Sequence, residues 1–168
     1  MRVLGIDPGL EKTGWGIVDT DGSSLRFVAG GQVKSSPKDP MSKRLTDLYD
    51  GLRDILESYK PDAAAIEEVF VNSNARTSLK LGQARGVGIL VPALSNLAVA
   101  EYSPTEIKKA VVGKGSADKS QVEFMVKVLL PKAKVTSADM ADALAVAICH
   151  SHVLKSRMPS KRKEAMGL

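Results

Sequence analysis

The chain has 168 residues, 43% of them hydrophobic and 26% charged, a composition typical of one globular domain that is large enough to bury a core. Its single cysteine, Cys149, excludes an internal disulfide and fits a reducing compartment. No basic and apolar leader precedes the first strand, and no apolar run reaches about 18 residues. The sequence therefore predicts a cytoplasmic protein with no membrane contact.

The net charge of +5 suggests a nucleic-acid partner, but this charge is unevenly distributed. Five basic residues and only one acidic residue lie within residues 153–168. The remainder is nearly neutral, so charge placement is more informative than the total. We predict a folded domain over residues 1–153, followed by a basic, disordered tail over residues 154–168.

The first half of the chain predicts three strands, a helix and a fourth strand. The strands are expected at 3–7, 14–19, 25–33 and 62–69, with a turn at Asp21-Gly22 and a helix over 41–59 that Pro61 ends. A right-handed crossover would place the fourth strand parallel to the first. Both strands would then end at one edge, where ligands bind in sheets of this kind.

The second half predicts one more strand and three helices. They are expected at 73–94 (a helix interrupted late by Pro92), 97–102 (the strand), 117–130 and 135–153. Gly82 and Gly86 belong to a stripe of small residues that packs either on the sheet or against a second subunit. The predicted fold class is α/β, with a five-stranded mixed sheet flanked by helices.

Two carboxylates interrupt the last helix, which is otherwise apolar on every side. Asp139 and Asp142 are three residues apart and so share one face. A helix of this composition is normally buried, and buried carboxylates are costly unless cations compensate them. Asp139 is equally well explained as a first-turn acid behind a Thr136 or Ser137 cap. Capping cannot explain Asp142, which lies a turn further in.

Two further acids lie at strand ends. Asp7 closes the first strand, although the Pro-Gly that follows it also allows a simple turn role. Glu67 and Glu68 point to opposite faces of the fourth strand, and the pattern alone does not choose between them. A carboxylate cluster without paired cysteines suits Mg²⁺, or Mn²⁺ in its place. Two such ions about 3.5–4 Å apart promote phosphodiester hydrolysis.

The candidate nucleic-acid contacts are basic and aromatic. The 113–116 loop lacks the glycine at 118 of a nucleotide-binding P-loop, so it predicts either a phosphate contact or a solvated turn. Lysines flank this loop at positions 108, 109, 114 and 119. Phe70 either stacks on an unpaired base or belongs to the core. His150 and His152 point in different directions, which favours structural roles over metal ligation.

Five segments, in order, resemble the RuvC-type Holliday-junction resolvases. They read LGIDPGLEKTGWGIV, AIEEVF, LKLGQARGVGI, VVGKGSADKSQV and ADMADALAVAICHSHV, and the resemblance extends from residue 3 to residue 153. It implies a ribonuclease H-like fold and a homodimeric, Mg²⁺-dependent endodeoxyribonuclease. Such an enzyme nicks two strands of a four-way DNA junction symmetrically in recombination and repair, alongside the RuvA and RuvB branch-migration proteins.

The resemblance also implies roles for individual residues. The catalytic and metal-binding acids are Asp7, Glu67, Asp139 and Asp142, which selects Glu67 over Glu68. Phe70 matches an aromatic residue that stacks at the junction, and Lys108 and Lys119 match lysines that face DNA; Lys114 joins them as a candidate from the loop itself. The chain departs from the family in reading NSNAR at 72–76, so its preferred cleavage sequence is not predicted.

Two other classes of protein compete with this interpretation. Residues 7–14 resemble the strand–turn–strand that holds ATP phosphates in actin-like proteins, but those proteins need a second lobe for which 168 residues leave no room. A non-catalytic junction-binding protein leaves Asp142 unexplained.

Overall fold

The computed structural model describes residues 1–69 and 73–157, which form five strands and five helices. The strands are β1 (Arg2–Asp7), β2 (Lys12–Thr20), β3 (Leu25–Lys34), β4 (Ala63–Glu67) and β5 (Val99–Tyr102). The helices are α1 (Met41–Tyr59), α2 (Ala75–Leu94), α3 (Pro104–Val112), α4 (Lys119–Leu129) and α5 (Ala138–Arg157). In this part of the chain, no helix is both long enough and apolar enough to cross a membrane.

All five strands join one mixed sheet in the order β3-β2-β1-β4-β5. The first three pair antiparallel, whereas β4 lies parallel to both β1 and β5. The predicted parallel placement of the fourth strand beside the first is therefore confirmed, and so is the five-stranded mixed sheet. Because β1 and β4 run in the same direction, their last residues, Asp7 and Glu67, reach the same edge of the sheet.

Helix α5 crosses one face of the sheet at very short distance. A Cβ atom added at Gly5 would lie 2.1 Å from the carbonyl oxygen of Ala143, and one at Gly14 would lie 2.0 Å from that of Asp139. Only glycine allows such an approach. Since α3 and α4 pack on the helix from the other side, α5 is enclosed, which explains why its sequence is apolar all round.

The opposite face of the sheet is covered by α1 and α2. Helix α1 presents Leu52, Ile55 and Leu56 to Leu4 and Ile66 in a second buried cluster. Its apolar residues recur at helical spacing, and Lys60 ends it in a left-handed conformation (φ 46°) just before Pro61. The predicted bounds of α1 are confirmed at both ends.

Several predicted boundaries differ from the structure, and one helix was missed. Helix α3 begins with a capping box, in which Ser103 and Glu106 satisfy each other's backbone amides around Pro104. Helix α4 starts at Lys119 rather than at residue 117, because Asp118 caps it. Helix α5 continues to Arg157, four residues beyond the boundary predicted for the basic tail; residues 158–168 lie outside the described part of the chain.

Candidate carboxylate site

A cavity of about 320 Å³ opens at the edge of the sheet where β1 and β4 end. Four acids, two lysines and an apolar floor line it: Asp7, Glu67, Asp139, Asp142, Lys108, Lys119, Pro104, Ile107, Val122 and Ala145. Two strands and three helices contribute to it. The four acids predicted from the sequence are thus brought together, although they lie up to 135 residues apart in the chain.

The register of the sheet distinguishes Glu67 from Glu68. Glu67 closes β4 beside Asp7 and lines the cavity. Glu68 lies one residue past the strand and is exposed, while its backbone amide donates a hydrogen bond of 2.8 Å to the carbonyl of Tyr102. Glu67 is therefore the acid that faces the other three.

The two acids of α5 reach the cavity from the beginning of the helix. Ser137 caps α5, since its hydroxyl accepts a hydrogen bond of 3.2 Å from the Met140 amide. Asp139 lies in the first turn, and its carboxylate accepts a hydrogen bond from the side-chain amide of Gln32 on β3. A favourable first-turn position and a place in the cavity are therefore compatible for Asp139.

Asp142 meets a cation from α4. The Nζ atom of Lys119 lies 3.4 Å from an Asp142 carboxylate oxygen, and the exposed fractions of the two side chains are 84% and 25%. The pKa of Lys119 is raised, chiefly by the charge of Asp142. The pKa of Asp142 is nevertheless also raised, because its burial outweighs the effect of a lysine that is largely in water.

The cavity disfavours several negative charges at once. Burial raises the pKa of Asp7 to about 8, and the charges of Glu67 and Asp142 add to that rise. Burial likewise raises the pKa of Glu67, with Asp142 as the next cause, although a hydrogen bond from Asp7 acts in the opposite direction. The raised pKa values of Asp7 and Glu67 mean that these neighbouring carboxyl groups share a proton near neutral pH unless a cation replaces it.

The predicted DNA-binding residues divide into three groups. Lys108 and Lys119 line the cavity, whereas Lys114 is exposed on the loop before α4 and does not line it. The carboxylate of Asp118 accepts a hydrogen bond of 2.9 Å from the Gln121 backbone amide and so caps the start of α4. Because this amide is already bonded, phosphate contacts at the loop would be made by lysine side chains. Phe70 lies outside the described residues.

The two histidines of α5 contact other helices and strands rather than the cavity. His150 is buried, and its Nδ1 atom lies 2.8 Å from the Tyr102 hydroxyl. The Nδ1 atom of His152 lies 3.1 Å from the carbonyl oxygen of Ala110. These contacts agree with the structural roles expected from the sequence.

The donor set of the cavity suits a hard cation such as Mg²⁺. All four acids present oxygen, the ligand that such ions prefer. Among the described residues, no three acidic, histidine or cysteine side chains converge tightly enough to enclose an ion by themselves. Mg²⁺ does not require that, because it keeps several waters and usually takes one or two carboxylates together with substrate phosphates. The residues therefore fit the ion.

The mixed sheet, the helix across it and the acids at its edge define the class as an α/β protein with the ribonuclease H-like fold. The T. thermophilus RuvC structure in complex with a Holliday junction substrate superposes with a TM-score of 0.87 and 32% identity, over 93% of this chain and 96% of that one. The family model for crossover junction endodeoxyribonuclease RuvC matches residues 3–150. The chain belongs to the RuvC family.

Curated relatives agree with this assignment. The crossover junction endodeoxyribonuclease RuvC of Rhizobium rhizogenes is 56% identical over 152 residues, which cover 90% of this chain and 89% of that protein. The protein of the same name from Mesorhizobium japonicum is also 56% identical over 152 residues, with 90% of each chain covered. The resemblance inferred from the sequence motifs is therefore confirmed.

Proposed function

We propose that this protein is a Mg²⁺-dependent endonuclease that resolves four-way Holliday junctions in recombination and repair by hydrolysing one phosphodiester in each of two strands. The observation that carries the proposal is the cavity in which four acids lie beside Lys108 and Lys119. Membership in the RuvC family supports DNA cleavage, and the T. thermophilus complex supports the junction as substrate.

In this proposal, the catalytic and metal-binding residues are Asp7, Glu67, Asp139 and Asp142. When bound, Mg²⁺, or Mn²⁺ in its place, makes water nucleophilic near neutral pH and offsets charge on the leaving oxygen. Asp7 must give up its proton for this, so binding of the ion and deprotonation of Asp7 are linked. Gln32 fixes the orientation of the Asp139 carboxylate through its amide.

The lysines provide the contacts to the DNA backbone. Lys119 is 84% exposed, and among the described residues its one ion pair is with Asp142, at 3.4 Å. Once a cation compensates Asp142, the lysine is free to turn toward a phosphate of the scissile strand. Lys108 lines the same cavity from α3. Lys114 contributes to the general electrostatic attraction from outside the cavity, and Phe70 stacks on a base at the junction.

Paired nicks require two active sites, which a two-fold homodimer supplies. Helix α2 carries an exposed apolar stripe at helical spacing, formed by Leu79, Gly82, Gly86, Leu90 and Leu94. Apart from the adjacent turns of α2 itself, no atom of the described residues lies within 4 Å of a Cβ added at Gly82 or Gly86. These glycines do not serve packing on the protein's own sheet, so the stripe is the proposed dimer interface. RuvA and RuvB in the cytoplasm remain the partners expected from the family.

The competing functions have less support. An actin-like ATP-binding protein is not favoured, since the chain belongs to the RuvC family and covers 96% of the T. thermophilus protein. A junction-binding protein without activity would not need three acids with raised pKa values in one cavity.

Incubation with a synthetic four-way junction and with a linear duplex of the same sequence tests the proposed function. We expect Mg²⁺ to produce nicks at symmetric positions in the junction and few in the duplex, and EDTA to prevent them. Binding of the junction without any nicking in Mg²⁺ or Mn²⁺ would favour the non-catalytic alternative.

A further inference from the structure

Two lysines face each other at the edge of the sheet that carries the carboxylate cavity. Lys12 begins β2, Lys34 ends β3, and the register pairs them directly. Like charges directly opposite each other on neighbouring strands destabilise a sheet. Both side chains are exposed, and neither forms an ion pair with any acid among the described residues. Within the described fold, no acidic side chain offsets the repulsion between these two lysines.

The strand periodicity places both lysines on the face of the sheet that α5 covers. Two residues along β2 from Lys12, Gly14 packs against the backbone of Asp139. Two residues along β3 from Lys34, Gln32 donates a hydrogen bond to the Asp139 carboxylate. Because alternate residues share a face, and one two-residue step spans about 6.6–6.8 Å, the lysines extend just beyond Asp139.

A buried arginine fixes the backbone that carries these lysines. Arg44 of α1 is 8% exposed and donates through Nε to the hydroxyl of Ser35, at 3.1 Å. That hydroxyl in turn donates to the carbonyl of Leu10, while the Ser35 amide donates to the carbonyl of Glu11 at 3.0 Å. The start of β2 and the end of β3 are thus tied together. Arg44 adds a third cation that has no acidic partner within the described part of the chain.

We propose that Lys12 and Lys34 form a phosphate-binding pair in addition to Lys108 and Lys119. The pair would bind the backbone of the DNA strand on the side of the carboxylate cavity where β2 and β3 lie. Lys108 follows β5, which is the outer strand at the other end of the strand order from β3. The two groups of lysines would therefore bind the same DNA strand on either side of the scissile phosphodiester. The pair rests on the proposed function and adds a contact surface to it.

The salt dependence of junction binding tests this pair. Each phosphate contact to duplex DNA contributes about 0.9 to the slope of log affinity against log salt concentration. In EDTA, the variant Lys12→Gln/Lys34→Gln should therefore bind a synthetic four-way junction with a shallower salt dependence. The magnitude of its slope should be smaller by about 1.8. Between 50 and 200 mM salt, the ratio of wild-type to variant affinity should fall by about tenfold.

Two control variants isolate the effect of position from that of charge. Lys60→Gln/Lys155→Gln removes the same charge at the far end of the sheet, where these lysines line other cavities, and should keep the wild-type slope. Lys12→Arg/Lys34→Arg should also keep it, because arginine contacts phosphate as well. Circular dichroism establishes that each variant is folded.

The outcomes separate this proposal from the proposed function. A slope that is unchanged in Lys12→Gln/Lys34→Gln, or lowered equally in the far-end control, overturns the phosphate pair. In either case, Mg²⁺-dependent nicking by the wild type would leave the proposed function standing. A wild type that neither binds nor nicks the junction contradicts the proposed function itself.

Discussion

Replacing Asp7 with Asn should change how the stability of the metal-free protein depends on pH. Burial and the charges of neighbouring acids raise the pKa of Asp7 from its ordinary value to about 8. A carboxyl group whose pKa is raised by folding stabilises the native state below pH 4, and this contribution is lost as pH rises toward 8. Within that window the folded state holds a proton that the unfolded state has released.

The structure gives the size of this effect. One proton that is bound only in the folded state changes the free energy of unfolding by about 1.4 kcal/mol per pH unit. From pH 5 to pH 7, wild-type stability should therefore fall by about 2.7 kcal/mol relative to Asp7→Asn, which cannot titrate there. For a chain of this length, such a change corresponds to about 5–10 °C in melting temperature.

Urea unfolding in EDTA at pH 5, 6 and 7 measures this difference, with the protein concentration fixed because a dimer would otherwise shift the apparent stability. We expect the stability of Asp7→Asn relative to wild type to rise steadily with pH. The reasoning is refuted if the difference between the two proteins is independent of pH, or if the variant loses relative stability as pH rises.

Three further substitutions test the site and the interface. Glu67→Gln should abolish junction nicking in a gel assay, whereas Glu68→Gln, which alters an exposed residue outside the cavity, should stay near the wild-type rate; similar losses would contradict the assignment. Gln32→Ala should lower Mg²⁺ affinity or the nicking rate by about 10–100-fold, as measured by Mg²⁺ titration. If the variant and the wild type give the same titration curve, the Gln32 amide does not orient Asp139. Gly86→Leu should yield folded monomers by equilibrium sedimentation, because the new side chain meets open space within its own chain; a wild type that is monomeric at micromolar concentration contradicts the interface.

Local sequence patterns predicted most of the elements. The bounds of α1 were found because its apolar residues follow the helical period and Pro61 prevents continuation. Helix α3 was missed, yet its start carried a readable signal, since Ser103 and Glu106 form a capping box around Pro104. A short helix inside a polar segment has too few apolar repeats to be found by periodicity alone.

Contacts between distant elements were harder to predict. The choice between Glu67 and Glu68 depends on where β4 ends relative to its neighbours, which follows from the register rather than from the strand's own sequence. Gln32 was not a candidate at all, because its bond to Asp139 joins residues 107 positions apart. The contact between Gly14 and the backbone of α5 did have a signal in the sequence, because a glycine inside a strand often marks the close approach of another backbone.

We propose that the four carboxylates cleave DNA while the lysines hold it. The most direct test compares junction binding and Mg²⁺-dependent nicking for the wild type and Asp7→Asn under identical conditions. We expect Asp7→Asn to bind the four-way junction with nearly wild-type affinity, because phosphate contacts supply most of that affinity, and to produce no nicks. An Asp7→Asn protein that nicks the junction at close to the wild-type rate would contradict the claim.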